Sequence, residues 1–337
     1  MSTHEESLLD VRGLSLDFGS PRGRVHALRD VDLSVPEGRI VGIVGESGCG
    51  KSTLASTIIR LLAENAQVVG GTLRFQGRDL LALSDAAMRG LRGRAMSMIF
   101  QDPMTALNPV MTVGQQMMEI QYREDSTTAE KRARAKAMLE RVGIPDAENR
   151  LSAYPHQFSG GMRQRICIAM ALLVEPALLL ADEPTTALDA TLEVQIIHLL
   201  KRLQEEVGCA IVFVSHHLGT VAELCDDVVV MYAGEVVERG AVRDIFNHPA
   251  HPYTQALLAC DPGRIKEKTR HLPTIPGQVP NLIDLPHGCI FKDRCPKAFD
   301  RCHREAPDDR AVAGTTHRAR CFLVADHKAE TSGEVEA

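Results

Sequence analysis

Nine residues, GESGCGKST from Gly45 to Thr53, have the types and spacing to hold a phosphate chain. They fit the pattern G-x-x-x-x-G-K-[ST]. Gly45, Gly48 and Gly50 permit dihedrals that other residues resist and let backbone approach a ligand. Successive N–H groups, those of Glu46, Ser47 and Cys49 among them, can then line one concave nest with a helix N-terminus behind it. Lys51 brings a positive charge for the β- and γ-phosphates, and Ser52, followed by Thr53, brings a hydroxyl for Mg²⁺. Far downstream, LLLADEP (residues 178–184) ends an apolar run in two carboxylates. Asp182 suits second-shell binding of the Mg²⁺, and Glu183 suits polarising an attacking water as general base. Gln101 can reach the metal and the water, and His216 can hydrogen-bond a γ-phosphate. Ser159, Gly160 and Gly161 combine a hydroxyl, free N–H groups and a helix start, which makes a second anion site by the same logic.

These groups must be carried by particular elements. RIVGIVG (residues 39–45) reads as a strand, the glycine loop follows, and a helix runs over 51–63. MSMIF, ALLLA and AIVFVS are short, nearly continuous apolar strands ending just before Gln101, Asp182 and His216. Such strands alternating with helices predict a parallel sheet covered on both faces, an α/β fold. LLDVRGLSL and VDLSV read as alternating strands on either side of a turn-rich insertion, GSPRGR, and GGTLRFQGRDL as a short hairpin. Thr127 and Thr128 can cap a helix through AEKRARAKAMLERV, with Ala133, Ala137, Met138 and Val142 on its apolar face.

The bulk properties narrow the field. The chain has 337 residues, 44% hydrophobic and 24% charged, with a formal charge of −6. Trp is absent and aromatics are 4%, so neither stacking platforms nor a basic footprint for nucleic acid is expected. No apolar run approaches the roughly 20 residues that span a bilayer, and MSTHEESLLD lacks a signal-peptide pattern. A cytosolic protein is expected.

In order and spacing the set resembles the ABC-transporter ATPase family over roughly 8–240. The phosphate loop, Gln101, the signature FSGGM, LLLAD, Glu183, the loop Ala187–Leu188–Asp189 and His216 match its motifs. The resemblance implies a P-loop core of ABC type: a mainly parallel sheet flanked by helices, an N-terminal antiparallel subdomain and a helical subdomain inserted at about 102–175. It implies an ATPase domain over 1–250, a C-terminal extension over 251–325 and a polar tail over 326–337. It also implies head-to-tail dimers in which Ser159 and Gly161 of one subunit close over ATP and Mg²⁺ on the loop of the other. The segment 102–122 would dock on a membrane permease, and Phe18 is the candidate for stacking on adenine. The signature departs from Leu-Ser-Gly-Gly-Gln at Phe158 and Met162, and His217 stands where Asp is frequent. Neither departure removes a group the chemistry needs.

FSGGMRQR, FQDPMTALNP and HPYTQALL resemble the peptide and nickel import branch, in the subunit type that sits beside a second, different ATPase. The expected partners are that second subunit, two permease subunits and, indirectly, an external solute-binding protein, at the cytoplasmic face of the bacterial inner membrane. The expected function is ATP-driven import of di- and oligopeptides. Nickel or another small solute, and a soluble ABC ATPase without a permease, are the alternatives.

Nine cysteines are present, and Cys289, Cys295, Cys302 and Cys321 cluster late. In a reducing compartment such a cluster points to metal before disulfides. The resemblance implies a [4Fe–4S] cluster, whose ligand set is four thiolates; zinc and unligated thiols stand beside it. Cys49, inside the loop, would have a lowered pKa if backbone N–H groups faced its sulfur, or it is simply a small residue that fits there.

Overall fold

A computed structural model describes residues 7–186, 188–261, 263, 273–312 and 315–324. The polar tail and Ala187 lie outside the described residues. Strand β1 (Leu9–Ser20) pairs antiparallel with β2 (Gly23–Val35) on one side and with β4 (Ala66–Phe75) on the other. With β5 (Arg78–Asp79) they form a four-stranded sheet in the order β2-β1-β4-β5. GSPRGR is therefore not an insertion between two short strands. It is the tip of one long hairpin, with Ser20 opposite Gly23, because the alternation continues through Asp17, Phe18, Val25 and Ala27.

An eight-stranded sheet carries the chemistry, in the order β11-β12-β10-β9-β3-β8-β7-β6. Its centre, β3 (Ile40–Val44), β6 (Met96–Ile99), β7 (Leu178–Asp182) and β8 (Ala210–Ser215), is parallel. β3 is buried at every position, as are β7 and β8, which is why these strands read as unbroken apolar runs. β9 (Asp227–Tyr232) continues the parallel set, and β10 (Glu235–Ala241) turns back antiparallel to it.

Around these strands lie α1 (Lys51–Ile58), α2 (Asp85–Leu91), α8 (Ala190–Val207), α9 (Leu218–Leu224), α10 (Val242–Asn247) and α11 (Pro252–Ala259). Helix α1 ends five residues before the periodicity of the sequence does. Arg60 takes a left-handed φ of 53°, and the Arg92 guanidinium donates to the Ile59 and Arg60 carbonyls at 2.8 and 2.5 Å, satisfying the orphan acceptors of the last turn. Between β6 and β7 come α3 (Pro103–Ala106), α4 (Val113–Glu119), α5 (Thr128–Arg141), α6 (Ala147–Arg150) and α7 (Gly160–Leu172), the inserted helical part. Capping boxes open α4 at Thr112 and α5 at Thr127. The buried face of α5 is Ala135, Met138 and Leu139, while Ala133 and Ala137 are exposed. Leu139, passed over in the sequence, pulls the face round.

The last part of the chain, with α12 (Asp300–Arg304), β11 (Arg310–Ala311) and β12 (Arg318–Ala319), has little core of its own. Tyr253, Leu258, Ile290 and Phe291 belong to the main hydrophobic core, and β12 pairs with β10 as a further strand of the large sheet. Glu238 on β10 is the hub of this join, its side chain fully buried. It accepts from the backbone N–H of Ala250 and His251 at 2.6 and 3.1 Å, and the His317 imidazole Nε2 lies 2.7 Å from it. These bonds answer the carboxylate's desolvation.

His251, also buried, accepts from the Tyr253 N–H through Nδ1 and so caps α11. Burial outweighs the Glu238 charge and pushes its pKa down to about 4. The unfolded chain, with a His pKa of about 6.5, binds the extra proton first. The stabilisation is complete above about pH 6.5 and is lost as pH falls toward 4, by up to about 3 kcal/mol. Urea titrations at pH 7.5, 5.5 and 4.5 should show this loss, and His251→Asn, which keeps a capping acceptor, should flatten it. An unchanged pH slope in that variant would reject the assignment.

Candidate ATP site and cysteine cavity

Strand register brings the separated residues together. Val44 stands opposite Ser215, so the phosphate loop starts beside His216. Ile99 stands opposite Ala181, so Gln101 lies beside Glu183. The loop takes left-handed or otherwise glycine-only dihedrals at Gly45, Gly48 and Gly50, with φ of 152°, 79° and 105°. Cys49 accepts from the Gly234 N–H through its carbonyl, which ties the loop to the β9–β10 turn.

Lys51 is 4% exposed, and its ammonium donates to the Gly45 and Glu46 carbonyls at 2.8 and 3.1 Å. Ser52 donates its hydroxyl to Asp182 at 2.9 Å, the two oxygens that a Mg²⁺ site of this type needs side by side. Burial raises the Asp182 pKa, and the neighbouring Glu183 adds to this, while the Ser52 hydrogen bond and Lys51 oppose it. Magnesium bound there would add to the Lys51 charge in favouring the carboxylate form.

Glu183 follows β7 in a left-handed conformation, φ 45°. That conformation costs a residue with a side chain roughly 1–2 kcal/mol, and its N–H is held by the Val214 carbonyl at 3.0 Å. The turn delivers the carboxylate, 12% exposed, into a ring of donors. One oxygen, Oε2, accepts from the Gln101 amide at 3.1 Å and the Thr186 hydroxyl at 3.0 Å, and His216 Nδ1 lies 3.2 Å from it. Among the described residues no donor is hydrogen-bonded to Oε1, which leaves a lone pair for water. Thr186 was not singled out in the sequence. The repeated Thr in DEPTT is the signal that would have found it.

Ser159 caps α7 through its hydroxyl, which accepts from the Met162 N–H at 3.3 Å. Ser159 and Gly160 are exposed, and Gly161 packs against Leu192. Among the described residues none of the three hydrogen-bonds to the phosphate loop of its own chain. Phe18 sits half-buried on β1 opposite Val25. Cys49 is buried, and burial raises its pKa despite Lys51. The lowered pKa considered for this thiol is overturned, because the loop N–H groups do not compensate its desolvation.

Cys289, Cys295, Cys302 and Cys321 line one small cavity together with Phe291 and Phe322. The Cys289 N–H donates to the Cys302 carbonyl at 2.8 Å. Burial pushes the Cys289 thiol up to about 11 and raises Cys295 and Cys321. Among the described residues no three His, Cys, Asp or Glu side chains are grouped closely enough to hold a single metal ion. Four thiols on one small cavity are the number and type of ligand that a [4Fe–4S] cluster takes.

A glycine loop after a parallel strand, a hydrogen-bonded Ser52–Asp182 pair, a strand-tip glutamate beside Gln101 and His216, and an exposed Ser159-capped helix start together have the form of an ATP-hydrolysing cassette. Family models agree: "ABC transporter" matches residues 28–186, and "Oligopeptide/dipeptide transporter, C-terminal region" matches residues 237–302. The chain is 50% identical over 302 residues to a probable peptide ABC transporter ATP-binding protein, y4tR, of Sinorhizobium fredii, covering 89% of this chain and 90% of that one. It is 48% identical over 301 residues to the oligopeptide transport ATP-binding protein OppD of Salmonella typhimurium, covering 89% of each. Among solved structures it is similar to the cassette MJ0796 in its dimeric form, with a TM-score of 0.62 and 29% identity over 70% of this chain and 99% of that one. The chain belongs to the ABC-transporter ATP-binding family, in the branch that carries the oligopeptide/dipeptide C-terminal region.

Proposed function

We propose that this protein energises the import of di- and oligopeptides through a membrane permease. The observation that carries the reading is the division of the site. The loop Gly45–Thr53 and the signature Ser159–Gly161 each present a helix start suited to an anion, and among the described residues no hydrogen bond joins them within one chain. A head-to-tail pair would bring them onto the same ATP. Within it, Gly45, Glu46, Ser47, Gly48, Cys49, Gly50, Lys51, Ser52 and Thr53 surround the phosphates. Asp182 and Ser52 hold Mg²⁺, and Gln101 and His216 align water and γ-phosphate for Glu183. Phe18 faces the adenine. The partner subunit is a second, distinct ATPase, as the resemblance to the FSGGMRQR subunit type implies.

An apolar cleft lies where the helical insertion meets the sheet, lined by Phe100, Leu107, Ile120 and Met170 among others. Phe100 in its lining is exposed, as are Val110 and Tyr122 in the segment 102–122. This supports docking of a permease on segment 102–122 at the cytoplasmic face of the inner membrane, and disfavours a soluble ATPase. Co-expression with two candidate permeases and a peptide-binding protein in vesicles should give ATP-dependent uptake of labelled peptide. Uptake of nickel chelates but not peptides would overturn the cargo assignment.

We propose further that the four cysteines hold a [4Fe–4S] cluster that pins the proline-rich part of the chain. When bound it would replace four thiol protons with bonds to iron; the protein contributes the sulfurs and the aromatic wall. Protein purified without oxygen should be brown, with about four irons and four sulfides per chain. Stoichiometric zinc and no iron would sink the idea.

A further inference from the structure

We propose that Arg294 is a positioning residue for the phosphate loop, through which the C-terminal extension sets the affinity for ATP. This rests on the reading of Gly45–Thr53 as the ATP loop.

The Arg294 side chain is 4% exposed, and each of its five N–H donors is used. Nη1 and Nη2 form a fork on Glu46, to Oε2 at 2.6 Å and Oε1 at 3.0 Å. Nη1 also donates to the Tyr232 hydroxyl at 3.3 Å. Nε donates to the Pro276 carbonyl at 2.9 Å and Nη2 to the Ile275 carbonyl at 3.1 Å. A guanidinium fully satisfied in this way has one orientation, and a bidentate carboxylate is the partner it holds best.

Glu46 is the second residue of the phosphate loop. Its carboxylate is a negative charge where phosphates must come, and Arg294 neutralises it at bonding distance. The extension also fixes the backbone of Glu46, whose N–H donates to the Tyr253 hydroxyl at 2.9 Å. The carbonyl of the same residue is one of the two that seat the Lys51 ammonium. Arg294 thus acts on Lys51 through Glu46. Behind it, Phe291 lines the cysteine cavity and packs edge-on against Tyr232 and Tyr253 at 5.1 and 5.3 Å. Arg294 itself precedes Cys295 in the chain. The wall of the cavity and the clamp on the loop are therefore one short segment.

The test uses the full-length chain, with Mg-ATP binding followed by calorimetry and steady-state KM and kcat measured alongside. Arg294→Met should raise the ATP Kd and KM about tenfold, with kcat at saturating ATP within roughly twofold of the parent. Adding Glu46→Gln removes the uncompensated charge and should return the Kd to within about threefold of the parent. Arg320→Met breaks another tie of the extension, to the Asp30 carboxylate and carbonyl, and should leave the Kd unchanged. A parental Kd in Arg294→Met, no recovery in the double variant, or an equal rise in Arg320→Met would each overturn the proposal. If Arg294→Met does not fold, Arg294→Lys keeps the charge without the fork and must raise the Kd by at least about threefold; a parental value there overturns it too. Lys51→Ala in the same assay separates the two readings: parental affinity in that variant means the loop assignment itself is wrong.

Discussion

Replacing Glu183 with Gln should lower ATP hydrolysis by about 10²–10⁴-fold while ATP still binds. That is the range a positioned general base contributes. The substitution preserves shape and leaves Lys51, Ser52 and Asp182 untouched. It removes the charge onto which Gln101, Thr186 and His216 converge and the lone pair that would take a proton from water. With binding intact and chemistry blocked, the ATP-closed pair should accumulate. Phosphate release should fall, and size-exclusion chromatography with Mg-ATP should show a dimer that parental protein forms only transiently. Hydrolysis at the parental rate would undo the assignment of Glu183 as base.

The second large effect is expected at Gly45. A Cβ added there would lie 2.2 Å from the Met231 carbonyl oxygen and 2.8 Å from Cys49 Sγ, at a φ of 152°. Met231 lies in β9, hydrogen-bonded on both sides within the sheet, so it is the loop that must move. Gly45→Ala should cost about 3 kcal/mol of stability by overpacking and strain, and ATP affinity should drop by more than about 100-fold as the N–H nest opens. Gly208→Ala is the control. It has a left-handed φ of 73° but nothing within 4 Å of the new Cβ, so only about 1 kcal/mol of strain applies. Thermal melts and ATP titrations of both variants should separate conformational strain from collision. Equal losses in the two would show that the close approach to β9 is unimportant.

What the sequence made legible follows from the geometry of parallel sheets. Neighbouring strands place their C-terminal tips at one edge, so Gly45, Gln101, Asp182, Glu183 and His216 could be assigned to one site from strand endings alone. The alternation of β1 and β2 was equally visible, although the turn-forming Pro21 and the glycines around it hid how far the hairpin extends. The face of α5 is ambiguous in the sequence because Ala133 and Ala137 are small enough for either side of a helix, and only packing puts Leu139 inside and the two alanines outside. Cys49 was considered as a thiol near N–H groups, and only the burial in the folded chain decides its pKa. The Arg294–Glu46 clamp joins residues 248 positions apart, and the Glu238 hub reaches His317 across 79 positions. No periodicity or local motif marks either pair, because both arise from where the extension lands rather than from the segment each residue occupies.

The pairing of β12 with β10 has a consequence for biosynthesis. Arg239 finds its partner in Arg318, 79 residues later in the chain. At synthesis rates of about 5–20 residues per second, β10 and the strands of the sheet that precede it are made roughly 4–16 s before β12 exists. During that interval β10 presents unpaired N–H and C=O groups, an edge open to any other strand. A ribosome stalled between these two points would release a chain with its nucleotide loop formed and its sheet unfinished. Such a fragment should be a substrate for chaperones and proteases rather than an active ATPase.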